Sequence, residues 1–332
     1  MTKTKERQVN PFVSVFKGNM GILIVLILLF AGLSIASPVF LTTDNLITVL
    51  RQISTNVFLA LGMTLIIILA GIDLSVGAIV ALTGTLTVGL IVNAGLPVYL
   101  AILIGLLIGT VIGFLNGTII SQFKLPAFIV TLATMNIAQG VAYIYSGGQS
   151  ERIRDEAYTS IGTGQLFGII PLPVVYMIVL IIIFSILLNK TRFGTYVYAI
   201  GGNREAARLS GVPTKKIELA VYTISGFLAA FAGIVLSARM YSGQPSVGQG
   251  YEMDAIAACV LGGVSMAGGR GRISGTVIGA IVIGVISNGL NLLGVSSFWQ
   301  LVVKGLIILI AILVDAQKGK RFNFSFKTAK AK

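Results

Sequence analysis

Residues Gly21–Ala36 read GILIVLILLFAGLSIA, a stretch without a single charge. A second uncharged run, VVYMIVLIIIFSILL, covers Val174–Leu188. Runs of this kind are typical of helices in a lipid bilayer, where every backbone polar group must be paired within the protein. Transmembrane barrels are built from short alternating strands, and neither run alternates. The two runs therefore predict an all-α fold, a polytopic transmembrane helical bundle.

The composition of the whole chain supports this fold class. Of its 332 residues, 55% are hydrophobic and 11% are charged, and the mean hydropathy is +0.95. Apolar runs separated by charges, Pro and Gly predict about ten spans, near residues 20–36, 52–70, 74–93, 98–119, 126–144, 173–189, 217–237, 252–266, 274–293 and 298–314. The eighth run is shorter than the roughly 20 residues that a perpendicular span needs, so we expect it to be tilted, broken or re-entrant.

The basic residues are distributed unequally between the two sides of the predicted bundle. If the N-terminus is cytoplasmic, 19 lysines and arginines fall inside, and Arg51, Arg152, Arg154 and Arg239 fall outside. The positive-inside rule therefore predicts that both the basic segment 1–19 and the basic tail 315–332 are cytoplasmic. The net charge of +13 is dispersed over short loops and tails, so we expect membrane lipid and no nucleic acid as a partner.

Two features limit the processing and the chemistry of the chain. The basic start, the first apolar run and the small residues Ser34-Ile35-Ala36 also fit a cleaved secretory signal peptide, an alternative to a retained first span. Cys259 is the only cysteine and histidine is absent. An intrachain disulfide and histidine-based acid–base or metal chemistry are thus excluded, and we expect no metal site or cofactor in this chain.

Glycines mark two helix faces that are predicted to pack closely. Gly105, Gly109, Gly113 and Gly117 repeat every four residues in span four, and small residues on one face let a neighbouring backbone approach. Span nine carries a less regular set, Gly275, Gly279 and Gly284. The Gly-rich segments 71–77 and 262–269 leave an internal repeat open.

Polar residues within or between the spans are the candidates for function. Asp73 follows span two and precedes span three, where it is either a helix N-cap or part of a gate. The candidates for a translocation path are Asn136, Gln139, Asn288, Asn291 and Lys304. Hydrogen bonding between helices is the alternative role of the amides, and a side chain reaching to the interface is the alternative for the lysine.

Two loops are long enough to meet a partner. In the inside loop 190–216, Asn203 can cap a short helix that Gly211 ends. This helix is too polar to span the membrane, so it either docks a cytoplasmic partner or lies at the interface. The external loop 146–171 carries Glu151, Arg152, Arg154, Asp155 and Glu156. It is either a solvated loop or a docking surface.

The inside loop resembles that of the permease subunits of bacterial ATP-binding-cassette importers, which carry Glu-Ala-Ala, three residues and Gly. Here these are Glu205-Ala206-Ala207 and Gly211. The fuller pattern of that family ends in Ile-x-Leu-Pro, whereas this chain has Val221-Tyr222-Thr223-Ile224. From about Asn45 to Asp315 the sequence is similar to the ribose and related monosaccharide branch of these permeases. The matching stretches are Leu61–Thr64, Ala70–Gly77, Ala199–Gly211, Gly250–Ala258 and Asn288–Ser297.

This resemblance implies a permease domain over residues 20–314, paired as a homodimer in the bacterial cytoplasmic membrane. It implies that a cytoplasmic ATPase docks on Asn203, Arg204, Glu205, Ala206, Ala207 and Gly211, and that an extracytoplasmic sugar-binding protein delivers a monosaccharide. Ribose is the first expectation, and galactose and xylose stay open. No Gly-x-x-x-x-Gly-Lys-Ser/Thr loop occurs in the sequence. ATP-Mg is therefore expected on the partner ATPase, and the chain itself is not expected to be an enzyme.

Two other function classes remain. An ion-coupled secondary transporter would use titratable residues within the spans, for which Lys304 and Asp254 are the candidates. A membrane-embedded enzyme would need convergent histidines, cysteines or paired carboxylates, which the sequence does not offer.

Overall fold

A computed structural model describes residues 20–320 and gives the chain an almost wholly helical architecture. Within these residues there are thirteen helices and four two-residue strands. In chain order they are α1 (Met20–Ala36), α2 (Thr43–Ile68), α3 (Val76–Val92), α4 (Val98–Phe123), α5 (Ala127–Ser146), β1 (Glu151–Arg152), α6 (Glu156–Thr163), β2 (Gln165–Leu166), β3 (Ile170–Pro171), α7 (Leu172–Lys190), α8 (Arg192–Gly202), α9 (Arg204–Leu209), α10 (Thr214–Met240), β4 (Ser242–Gly243), α11 (Tyr251–Leu261), α12 (Ile273–Leu292) and α13 (Ser297–Lys320).

Ten of the helices lie on the ten predicted spans, and α6, α8 and α9 lie in the segments between them. Six of them, α2, α4, α5, α7, α10 and α12, are long and apolar enough to cross a membrane, and three shorter apolar helices lie at Met20–Ala36, Val76–Val92 and Ser297–Leu313. The eighth run forms α11, which has 11 residues. At 1.5 Å per residue it covers about 16 Å, roughly half of the hydrocarbon core. This short length agrees with the expectation of a tilted, broken or re-entrant span, which stays a prediction.

Two helices form the centre of the bundle. In α2, Val57–Ile68 are all buried, and α10 packs against α2, α3 and α4. The glycines of α4 form a close helix contact, as their spacing predicted, and the partner is α10. A Cβ added at Gly113 would lie 3.0 Å from the Cα of Gly226, and one at Gly117 would lie 2.9 Å from the Cα of Leu219. Side chains at these positions would force the two helices apart.

The glycines of α12 make three close contacts with other helices. A Cβ at Gly279 would lie 2.9 Å from the carbonyl carbon of Ala258, so α12 approaches the backbone of α11 closely there. Gly284, further along α12, faces Ile53 of α2. At the end of α12, Gly289 receives the side chain of Leu33 from α1. These small residues let one helix contact three neighbours.

The loop predicted to be external is folded onto the end of α10. Its strand β1 pairs antiparallel with β4, and the Asp155 carboxylate caps α6 by accepting the Tyr158 N–H at 3.0 Å. The Tyr158 side chain is fully buried, and its hydroxyl lies 2.6 Å from the Ser237 Oγ. The segment is therefore solvated and folded at once: its charged side chains Arg152, Arg154, Asp155 and Glu156 are exposed, and it also buries an aromatic side chain against the bundle. Its role as a docking surface stays a prediction.

The same end of the bundle gathers the arginines that were predicted to share one side of the membrane. Arg51 donates to the Thr163 carbonyl at 3.4 Å, and the Arg239 backbone lies against Gly162 of α6. Arg152 and Arg154 line one cavity of about 510 Å³ together with Tyr241. The sequence predicts one side of the membrane for all four arginines, and the contacts of Arg51 and Arg239 with α6 bring those two together there.

Candidate functional site

The short helix α9 is fixed at both ends by its own flanking residues. The Asn203 Oδ1 accepts the Ala206 N–H at 2.9 Å, which caps the N-terminus. At the C-terminus, Gly211 has φ +82°, and the Gly211 and Val212 N–H groups donate to the Arg208 and Ala207 carbonyls at 3.0 Å. This is the paired bonding of a Schellman motif, which glycine favours because its φ is positive. The helix is therefore a defined unit.

The side chains of α9 divide into a buried and an exposed set. Ala207 is buried, whereas Ala206 is exposed and Leu209 is 77% exposed. Glu205 and Arg208 form an ion pair at 2.9 Å, with their side chains 66% and 59% exposed. An exposed pair of this type contributes only about 0.3–0.5 kcal/mol. The exposed face thus offers one acidic, one basic and two apolar groups to a partner.

A second ion pair connects α9 to the bundle. Arg204 contacts both carboxylate oxygens of Glu218, at 2.7 Å from Nη1 and 2.8 Å from Nη2. The Glu218 side chain is only 7% exposed, and it lies in the first turns of α10. Bidentate pairing fixes orientation as well as distance. Of the residues predicted to meet the ATPase, Arg204 therefore faces the permease bundle.

The preceding helix α8 was not foreseen from the sequence. Thr191 caps it by accepting the Gly194 N–H at 3.3 Å, and its buried residues are Gly194, Val197 and Ile200. Their spacing of three residues is typical of one helix face, and it could have indicated this helix in the sequence. At its end, Gly201 packs against the Ile68 carbonyl of α2 with no room for a side chain. The inside loop therefore contacts α2 as well as α10.

A hydrogen bond joins α8 to the segment between α11 and α12. The Tyr198 hydroxyl donates to the Gly271 carbonyl at 2.8 Å. Burial raises the pKa of this hydroxyl, and the nearby Arg272 guanidinium partly offsets that rise. The Gly269 N–H of the same segment donates to the Ile68 carbonyl at 2.8 Å. The ends of α2 and α8 and residues 262–272 thus form one connected unit.

Asp73 lies in the turn before α3, with 1% of its surface exposed. Its Oδ1 accepts from the Ser75 N–H at 2.9 Å and from the Ser75 hydroxyl at 2.6 Å. Its Oδ2 accepts from the Ser225 hydroxyl of α10 at 3.1 Å. Because α3 begins at Val76, the carboxylate organises the turn ahead of the helix rather than the N–H groups of its first turn. A role in gating stays a prediction.

The turn around Asp73 is connected to two further helices. The Asn116 amide of α4 donates to the Ser75 Oγ at 3.1 Å, and its oxygen accepts from Thr134 of α5 at 2.6 Å. Asn116 is itself buried. A continuous chain of hydrogen bonds therefore runs from α10 through the turn to α4 and α5. It could not be predicted from the sequence, because its members lie far apart along the chain.

Two of the predicted path residues join helices within the chain. Asn288 is buried and exchanges two hydrogen bonds with Asn45, at 2.8 and 3.2 Å. Asn291 is exposed and accepts from the Gln300 amide at 2.8 Å. These bonds connect α12 to α2 and α13. They are the interhelical role that the sequence left open as the alternative.

The remaining path candidates lie on α5 and α13. Asn136 is exposed and donates to Leu132 of its own helix at 3.0 Å, whereas Gln139 donates to the Pro245 carbonyl. The Lys304 amine pairs with the Asp254 carboxylate of α11 at 2.7 Å. Within residues 20–320, none of the five path candidates makes a hydrogen bond or an ion pair to another.

Known proteins are similar in sequence to this chain over most of its length. A protein family described as "branched-chain amino acid transport system / permease component" matches residues 45–312. The chain is 46% identical over 314 residues to the ribose import permease protein RbsC of Bacillus subtilis, covering 94% of each chain. It is 44% identical over 302 residues to that of Haemophilus influenzae, covering 90% of this chain and 93% of the relative. Identity to the L-arabinose transport system permease protein AraH of Escherichia coli is 42% over 300 residues, covering 90% and 91%. No solved structure matches the chain.

Proposed function

The chain belongs to the permease family that matches residues 45–312, and we propose that it is the membrane subunit of an ATP-driven importer of ribose. Its similarity to ribose import permeases extends over 90% of the chain or more, which supports ribose as the first substrate to test. L-arabinose is the second, because an arabinose permease is 42% identical. Galactose and xylose follow.

Each end of the bundle is assigned one partner in this proposal. A cytoplasmic ATPase, which binds and hydrolyses ATP-Mg, docks on the exposed face of α9. An extracytoplasmic sugar-binding protein docks at the opposite end, where Arg152 and Arg154 line a cavity on the folded external segment. Two copies of the permease chain form the path between them. Both termini lie in the cytoplasm, as the excess of basic residues on that side predicts.

The contacts of α9 suggest how ATPase movement reaches the membrane helices. A displacement of α9 passes through the Arg204–Glu218 pair to α10 and through Gly201 to the end of α2. Both helices lie at the centre of the bundle, and packed interiors move as units because they have few voids to absorb a shift. Each cycle of ATP binding and hydrolysis thereby changes the side of the membrane to which the path between the two copies is open.

One observation carries this proposal: α9 is capped at both ends by its own residues, yet it exposes Glu205 and Leu209. Leu209 and Glu205 thus offer a partner one apolar and one acidic group on a helix whose ends are fixed. A helix that receives force needs both the exposed face and the fixed ends.

The experiment compares uptake and ATPase activity in vesicles that contain the permease, its ATPase and the binding protein. We expect Glu205→Ala and Gly211→Val to lower ribose uptake and the stimulated ATPase activity about tenfold, the equivalent of 1.4 kcal/mol in coupling. The amount of permease in the membrane should not change. Phe123→Ser is the matched control, because Phe123 is 70% exposed next to Lys124 and outside α9. Normal uptake by both α9 variants would contradict the proposal.

The same vesicles separate this function from ion-coupled transport. We expect uptake to require ATP and to survive a proton uncoupler. Uptake that stops with the uncoupler and continues without ATP would assign the chain to the secondary transporters instead. The pair formed by Lys304 and Asp254 would then be the first place to seek the coupling ion.

A further inference from the structure

A basic cavity lies beside α8, at the end of the bundle that carries α9. Its volume is about 590 Å³, and its polar side chains are Asn189, Tyr198, Arg270 and Arg272. The rest of the lining is the backbone of three glycines, and none of the lining residues is acidic. The volume falls in the range of small-molecule sites, which is about 300–1,000 Å³. The cavity can therefore hold an anionic group of moderate size.

The charge of this cavity is not neutralised by the protein. Within residues 20–320, neither Arg270 nor Arg272 takes part in an ion pair, and both side chains are exposed. Helix α12 begins directly after Arg272, and no side chain caps its N-terminus. The positive end of the helix dipole of α12 adds to the positive potential there. Two guanidinium groups with open donors match the oxygens of a phosphate.

An apolar surface leads from the membrane into the same cavity. Along α7, Val179, Ile182 and Ile186 are 48%, 53% and 52% exposed, and Asn189 follows at the next helical step. Their spacing of three and four residues places them on one helix face. The face thus runs from lipid-exposed aliphatic side chains to an amide that lines the basic cavity. A ligand with acyl chains and an anionic head would contact both parts at once.

We propose that this cavity binds the phosphate of an anionic phospholipid of the cytoplasmic leaflet. Arg270 and Arg272 pair with the phosphate, Asn189 contacts the glycerol backbone, and one acyl chain lies along Val179, Ile182 and Ile186. Basic pockets at the cytoplasmic ends of membrane helices attract anionic headgroups because the lipids and the guanidinium groups share one interface. A soluble phosphate or an acidic side chain of another protein would use the cavity and leave the stripe on α7 unoccupied.

The bound lipid would also affect the unit that contacts α9. Gly271 of the cavity wall accepts the Tyr198 hydrogen bond, and the Gly269 N–H bonds to α2. A headgroup held by Arg270 and Arg272 would restrain residues 262–272 against α8. We therefore expect the lipid to stabilise this part of the bundle in addition to occupying it.

The test measures lipid binding to the full-length permease by native mass spectrometry, with phosphatidylglycerol and phosphatidylcholine as probes. We expect the wild-type protein to retain phosphatidylglycerol, and the double variant Arg270→Gln/Arg272→Gln to bind it roughly 30-fold more weakly. The double variant Lys124→Gln/Lys216→Gln is the matched control, because it removes the same charge from the same end without touching the cavity. It should bind phosphatidylglycerol like the wild type.

Two further measurements separate the lipid from the other occupants. Ile182→Ser/Ile186→Ser should weaken phosphatidylglycerol binding and leave the binding of inorganic phosphate unchanged, which also covers the case in which the arginine variant fails to fold. Equal retention of phosphatidylcholine and phosphatidylglycerol by the wild type would overturn the proposal. The proposal would also be overturned if the arginine variant bound phosphatidylglycerol as tightly as the wild type, whether or not that variant loses its ATPase partner.

Discussion

Replacing Lys304 by methionine would leave the Asp254 carboxylate buried without its cation. The two side chains form an ion pair at 2.7 Å, with Asp254 only 6% exposed and Lys304 26% exposed. The pair connects α11, the shortest of the apolar runs, to α13. Among residues 20–320, Asp254 has no other ion-pair partner, so the loss of Lys304 leaves its charge uncompensated. This makes the pair a sensitive contact to perturb.

The magnitude follows from the burial of the two partners. Removing one member of a buried ion pair costs about 3–5 kcal/mol, because the other charge remains desolvated. The partial exposure of Lys304 places the cost at the lower end, about 3 kcal/mol. At 1.4 kcal/mol for each factor of ten, the open form of α11 should become roughly a hundredfold more populated. In the double variant Asp254→Asn/Lys304→Met, which carries no stranded charge, most of this effect should disappear.

The chain contains its own reporter for the opening of α11. Cys259, the only cysteine, lies on α11 and is fully buried. Its Sγ is 3.4 Å from both the Ala60 carbonyl and the Thr64 Oγ1 of α2. A thiol reagent can reach it only when α11 separates from α2, so the labelling rate under native conditions measures the open population.

We expect Cys259 in Lys304→Met to react roughly a hundredfold faster than in the wild type, by the same conversion of 3 kcal/mol. Lys124→Met is the control, because Lys124 is exposed and should label at the wild-type rate. If Lys304→Met also labelled at the wild-type rate, the reasoning from the buried charge would be refuted. Equal acceleration in the single and double variants would assign the effect to the lysine stem instead.

Three other experiments test separate contacts. Gly113→Leu should lower the free energy of unfolding by about 1–3 kcal/mol through overpacking, as measured by thermal unfolding. Gly305→Leu should not, because a Cβ at Gly305 meets nothing within 4 Å. Equal losses in both variants would contradict the close packing of α4 on α10. A double-mutant cycle with Asn45→Ala and Asn288→Ala should give a coupling of about 1 kcal/mol in the free energy of unfolding, and strictly additive losses would show that their hydrogen bonds contribute nothing. Asn203→Ala should destabilise α9 by about 1 kcal/mol, seen as faster hydrogen exchange in residues 204–209, and Asn203→Asp should restore protection.

Features with local causes could be predicted from the sequence. The spans follow from continuous apolar runs, and the termini of α9 follow from Asn203 and Gly211, whose hydrogen bonds reach no further than five residues along the chain. The glycine stripe on α4 predicted close packing because its period is a property of one helix. The partner helix α10 could not be identified, since it begins about one hundred residues later.

Features that depend on distant residues were missed or misjudged. The start of α2 lies at Thr43, nine residues before the predicted position, because its polar first turns have partners elsewhere: Asn45 bonds to Asn288, 243 residues away. The same bond gives Asn288 a structural partner, although its amide made it a candidate for the translocation path. Hydrophobicity cannot distinguish an amide that lines a path from one that joins two helices, because both lie within apolar runs.

The position of α9 matters because of where its own contact and the contact of the adjoining α8 lead. Arg204 reaches Glu218 at the start of α10, and α10 is held to α4 by glycine contacts that leave no room for adjustment. Gly201 meets the last turn of α2, the span with the largest buried share in the bundle, 89%. A force on α9 therefore enters the two helices that are least able to yield separately. The hydrogen bonds of Asp73 and Asn116 extend the same connection to α5, which presents the exposed Asn136. The polar surface helix α9 is thus connected to α5 through α10 and the turn around Asp73.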